Sequence, residues 1–137
     1  MAHMEFFLVA EDLSVDQQTN RLSLFNIIEQ LTGCNFPFPL PFAAAVSLWV
    51  AEDGDESQDF QCILHIILPD GETYDFPTNF TFKTRRHRVI QRIQGIPITK
   101  SGLLRFEVHL NGKHQASHEI DILKIDPHEM LPTAETI

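Results

Sequence analysis

The stretch KTRRHRVIQR, residues 83–92, gathers five of the ten lysines and arginines of a 137-residue chain into ten positions. Read as a strand, it puts Arg86, Arg88 and Arg92 on one face and Val89 and Ile93 on the other, because strand side chains alternate. A row of outward guanidinium groups can hold a carboxylate or phosphate, each fork offering paired N–H donors to paired oxygens. Arg85 and His87 adjoin that row as accessory contacts. The plainer reading is a solvated, charged edge that resists aggregation.

The acids cluster as well: Glu52, Asp53, Asp55, Glu56 and Asp59 lie within eight positions. Asp53, Asp55, Ser57 and Asp59 have the every-second-residue spacing of a calcium loop, and the three aspartates form a second contact set. The calcium signature fails around them, since the glycine is at position 54 and no glutamate closes the loop. An acidic hairpin loop is the simpler reading. If it met the basic segment of a second copy, the two would make a homodimer contact.

His109, His114 and His118 invite a metal. On one strand His114 and His118 share a face but stand about 13 Å apart at roughly 3.3 Å per residue. One metal needs each nitrogen within about 2.1 Å. His109 is expected on the opposite face, so no metal and no cofactor are expected. The sequence has no Gly-x-Ser-x-Gly elbow, no Gly-rich phosphate loop and no cysteine in a motif with a nearby base, and no catalytic residue is assigned. The competing class is a small-molecule or metal-dependent enzyme built from histidines on separate strands. It would need a deep polar pocket near His65, His114 or His118.

The elements that must position these groups belong to one domain. Hydrophobic residues make up 43% of the chain and charged residues 21%, ordinary values for a soluble globular protein. A net charge of −9 argues against nucleic acid or an anionic membrane surface as partner. Eleven phenylalanines stand against one tryptophan and one tyrosine, which suits packing more than ligand display. Only Trp49 and Tyr74 could serve as sugar platforms, so carbohydrate binding reads poorly. No run reaches the roughly 18 to 20 apolar residues of a membrane helix, and no export signal is read at the start. Cys34 and Cys62 then read as free thiols in the cytosol. Residues 1–4 look like a tag remnant, 5–124 like the folded domain and 125–137 like a mobile tail.

Period-two patterning runs through the domain. Phe42, Ala44, Val46, Leu48 and Val50 alternate with Ala43, Ala45, Ser47 and Trp49, as in a strand with one face on a core. Phe60, Cys62, Leu64, Ile66 and Leu68 follow in register, before a PDGE turn at 69–72. Near the end, Leu104, Phe106, Val108 and Leu110 lead to Asn111-Gly112. A three-residue loop closed around Leu110, Asn111 and Gly112 keeps apolar faces together, setting Phe106 opposite Ala116 and Leu104 opposite His118. SLFNIIEQLTG, from Ser23, is ambiguous: Leu24, Phe25, Ile27, Ile28 and Leu31 have helical spacing, yet every neighbouring segment is a strand, and a strand is expected here. FPFPLP at 36–41 reads as a stiff extended link whose Phe36, Phe38 and Leu40 plug one end of the core.

FFLVAEDL, NRLSLFNIIEQL, FPFPLP and SGLLRFEVHLNGK together resemble a family of small, uncharacterised bacterial β-sandwich proteins over most of Glu5 to Leu123. The resemblance implies the fold and a strand at 22–31; it supplies no activity. The expectation is an all-β chain, a single antiparallel sandwich of about eight strands, immunoglobulin-like or jelly-roll-like. It is expected to act as a non-enzymatic binding or assembly module, with an anionic group, a protein or a second copy as partner.

Overall fold

The computed structural model describes residues 1–126. From residue 127 onward the expected tail lies outside the described residues. The first sheet carries β1 (His3–Val15), β2 (Leu22–Ile27), β5 (Ala43–Val50) and β8 (Arg86–Ile93), in the order β2-β1-β5-β8. The second carries β3 (Gln30–Gly33), β6 (Phe60–Ile67), β7 (Thr73–Phe80), β10 (Gly102–Leu110) and β11 (Lys113–Lys124), in the order β3-β11-β10-β6-β7. A two-residue ribbon pairs β4 (Phe38–Pro39) with β9 (Pro97–Ile98). Every pairing is antiparallel except β3 with β11. The sequence expectation of an all-β sandwich holds, and no helix occurs among the described residues.

Alternation builds the core. Phe60, Cys62, Leu64 and Ile66 of β6 and Leu104, Phe106, Val108 and Leu110 of β10 are buried, facing Phe7 and Val9 of β1 and Ala45 and Trp49 of β5. Trp49 is therefore core, and its Nε1–H donates to the buried Ser47 hydroxyl at 2.9 Å. Gln91 of β8 reaches from one sheet to the other, donating from Nε2 to the Phe76 carbonyl at 2.7 Å. β5 departs from the expected pattern because both its faces are buried: Ala44, Val46 and Val50 are shielded as fully as Ala43 and Trp49. Something must cover the outer face of the first sheet.

The segment 22–31 is extended, and its helical spacing has a physical cause. Two short strands in different sheets share it. Asn26 takes a φ of +56° at the end of β2, and its amide donates to Glu11 at 3.0 Å. Ile28 then drops into the core while its N–H bonds the Val9 carbonyl at 2.9 Å. β3 continues on the second sheet.

The last hairpin corrects the expected loop. Leu110 pairs with Lys113, so the loop has two residues, Asn111 (φ +49°) and Gly112 (φ +83°). Register is restored by a bulge further in: His109 faces His114, yet Val108 faces Ala116, leaving Gln115 extra. Phe106 consequently lies opposite His118, and Leu104 opposite Ile120. At the other end, Leu40 is buried and Phe36 and Phe38 pack on the core with ring centroids 5.3 Å apart. His3 and Met4 extend β1 opposite Val50 and Trp49.

Candidate functional site

β8 pairs with β5 in unbroken register, Val50 to Arg86 through Ala43 to Ile93. The inward side chains are Val89, Gln91 and Ile93, with His87 sharing their face. Arg86, Arg88, Ile90 and Arg92 therefore share the outer face. His87 stands apart from the arginine row: its ring stacks on Phe80 at 4.4 Å and 1°. Burial, with a smaller contribution from Lys83, holds its pKa below the usual imidazole value.

The three outer arginines differ in what they already hold. Arg86 is satisfied by Glu5, with Nη2 at 2.8 Å and Nε at 3.0 Å from one carboxylate oxygen. Arg92 is exposed and makes no hydrogen bond or ion pair among the described residues. Arg88 is partly buried; its Nη2 donates to the Asn20 carbonyl at 3.1 Å. Its Nε is buried and has no acceptor among the described residues. A buried donor without an acceptor costs about 1–3 kcal/mol, and more on a charged group. Arg88 is the one whose geometry is unfinished.

Asn20 lies in the turn between β1 and β2, so its bond to β8 shows what covers the first sheet. The β1–β2 hairpin curls over the outer face. Phe6, Leu8, Leu22, Leu24 and Leu48 meet there with Arg88 around a cleft of about 290 Å³. Sequence reasoning did not find this cleft. The signal was present in β5, whose apolar residues occupy both alternating faces, as in strands buried on both sides.

A family of unknown function, DUF6941, matches residues 5–123. The chain belongs to that family. The span matched by DUF6941 runs from Glu5, the partner of Arg86, to Leu123 of β11, and so holds both sheets and the whole outer face of β8. No curated protein matches the chain.

In this DUF6941 domain the acidic loop and the start of the basic segment meet within one chain. Glu52, Asp53 and Glu56 line a cleft of about 430 Å³ together with Lys83, Thr84 and Arg85. The three aspartates diverge. Asp55 is only 3% exposed and accepts the Glu52 N–H at 2.8 Å, so it builds the turn. Asp53 faces the cleft, and Asp59 lies by Gln61, Asn79 and Asn111.

The histidines are not arranged as the sequence suggested. The bulge at Gln115 puts His114 and His118 on opposite faces, not the same one. His118 turns inward and donates from Nε2 to the Ile28 carbonyl at 2.7 Å. His109 joins His114 on the outer face, ring centroids 5.4 Å apart, and His65 stands 5.9 Å from His109. Each of these three is engaged by a polar neighbour: His65 by Asp75, His109 by Glu107 and His114 by Ser117. The hollow between His65, Asp75 and His109 is shallow, about 160 Å³. Among the described residues no group of three or more His, Cys, Asp or Glu is placed to hold a metal ion. Both cysteines are free, and burial pushes the Cys62 thiol up to about 11, against a smaller opposing effect of Ser47. Cys62 is thus held as a thiol at neutral pH, and the thiolate is the nucleophile.

Proposed function

We propose that the domain is a non-enzymatic binding module that takes an anionic group on the outer face of β8, with Arg88 at the centre and Arg92 beyond it. One observation carries this reading: Arg88 has a buried Nε with no partner among the described residues. Its guanidinium is held through Nη2 by the Asn20 carbonyl, and its Nε is left without an acceptor among the described residues. Arg86, its charge paired with Glu5, contributes little to the contact. Arg85 faces the acidic loop.

The reading is tested by calorimetric titration with acetate, inorganic phosphate and an acidic hexapeptide on the wild type, Arg86→Gln, Arg88→Gln and Arg92→Gln. At least one anion binds the wild type; Arg88→Gln weakens it most, Arg92→Gln less and Arg86→Gln least. Equal binding by the Arg88 variant would overturn the reading.

Assembly is the second use, favoured by a separate observation. β2 is an edge strand, and its Phe25 and Ile27 are 49% and 44% exposed. Light scattering at low salt and at about 0.5 M salt, where screening shortens to a few ångströms, separates charge-paired from apolar association. We place the protein in a bacterial cytosol, since two free thiols suit a reducing compartment.

A further inference from the structure

We propose that the cleft beside Arg88 is a binding site for a free, single-chain anionic amphiphile. Its carboxylate or phosphate head would lie on Arg88 and its alkyl chain among Phe6, Leu8, Leu22, Leu24 and Leu48. The inference rests on the reading of Arg88 as an anion contact and adds what lies behind the head.

The lining carries the argument. Five of the six residues around the cleft are apolar, the sixth is a guanidinium, and none is acidic. A purely apolar ligand would leave the Arg88 Nε unmet, and a small hydrophilic anion would leave the leucines facing water. Only a molecule with both parts satisfies both walls. Its size follows from the volume: about 290 Å³ is at the lower edge of small-ligand sites, which run from roughly 300 to 1,000 Å³. One short chain fits; a two-chain lipid does not. The lining comes from all four strands of the first sheet. The turn that joins β1 to β2 is tied by Asp16, accepting from the Gln18 and Thr19 N–H groups at 2.8 Å each. The seat for the head is the part of the Arg88 guanidinium that Asn20 does not hold: Nη2 donates to the Asn20 carbonyl, while Nε has no acceptor among the described residues.

Decanoate below its micelle concentration is the probe, followed by NMR on the ¹⁵N-labelled full chain, with acetate and decanol as its two halves. The expected result is saturable movement of the Arg88 Nε–H and of the Leu8, Leu24 and Leu48 amides. Decanoate should bind at least tenfold tighter than either half. From hexanoate to octanoate to decanoate, affinity should rise by about fourfold per methylene that becomes buried. Arg88→Gln should lower decanoate affinity at least tenfold and leave decanol unchanged. Leu24→Gln should lower both, with the buried Trp49 fluorescence checking the fold. If acetate binds as well as decanoate, and the cleft amides stay still, the amphiphile site is refuted while the anion contact on Arg88 stands. If decanoate binds the Arg88 variant undiminished, both readings fall. No co-flotation with phosphatidylglycerol vesicles is expected; co-flotation lost in Arg88→Gln would assign the head to a lipid surface and overturn the free ligand.

Discussion

Arg88 on β8 donates to the backbone carbonyl of Asn20, a residue of the turn between β1 and β2, at 3.1 Å. β2 and β8 are the two edges of a four-stranded sheet. In a flat sheet those edges stand roughly 14 Å apart, three spacings of about 4.8 Å, and the turn would point away. The bond therefore records a strong curl that closes the hairpin over β5. The curl shields Val46 and gives the first sheet a second apolar interior. It also leaves Arg88 between that interior and solvent.

The position of Arg88 carries a stability cost that a variant can relieve. Arg88→Met keeps the apolar stem and removes the buried N–H without an acceptor. The urea midpoint is expected to stay level or rise, by up to about 1 kcal/mol of stability, while anion binding is lost. A fall of more than about 2 kcal/mol would mark Arg88 as a structural residue whose contacts are complete.

Ser47 is expected to behave in the opposite way. It is buried between the sheets, accepts from Trp49 Nε1 at 2.9 Å and faces the Cys62 thiol. Ser47→Ala leaves the indole N–H unpaired and should cost about 1–3 kcal/mol, read by urea unfolding followed through Trp49 fluorescence.

His87 makes the fold sensitive to acid. Its folded pKa lies below the unfolded value of about 6.5, chiefly through burial and secondarily through Lys83. The unfolded chain thus binds more protons than the folded one, and stability rises with pH across this window. The contribution is complete above about pH 6.5 and is lost as pH falls through the lowered folded value. His87→Phe keeps a ring against Phe80 and removes the titration, so the drop in melting temperature between pH 7.5 and 5.5 should shrink. An unchanged drop would place the acid sensitivity elsewhere.

Gly33 tests the end of the core formed by the proline-rich link. A Cβ there would come within 2.5 Å of the Phe38 ring. Gly33→Ala must displace that ring from its packing with Phe36, and a loss of about 1–3 kcal/mol is expected by thermal unfolding.

Some of this was legible in the sequence, because alternation survives wherever a strand stays in one sheet and in register. β6, β10 and β8 are such strands, and the outward side of Arg86, Arg88 and Arg92 could be read directly. Where the chain breaks register or changes sheet, alternation misleads. Ile28 crosses between sheets, so two short strands sum to a helical spacing. The bulge at Gln115 reverses the side on which His114 lies, and no residue type there announces it. The hairpin over β5 depends on sheet curl, a property of many residues together. It left one local mark: Val46 and Leu48 on a face that alternation had assigned to solvent or core but not to a second interior.

The most direct measurement is the side-chain Nε–H resonance of Arg88 during titration with acetate, phosphate and decanoate. The expected result is a saturable downfield movement of that proton, as its missing acceptor arrives, while the Arg86 Nε–H, already held by Glu5, stays in place. An Arg88 resonance indifferent to every anion, or one that moves no more than that of Arg86, would contradict the assignment of Arg88 as the anion contact.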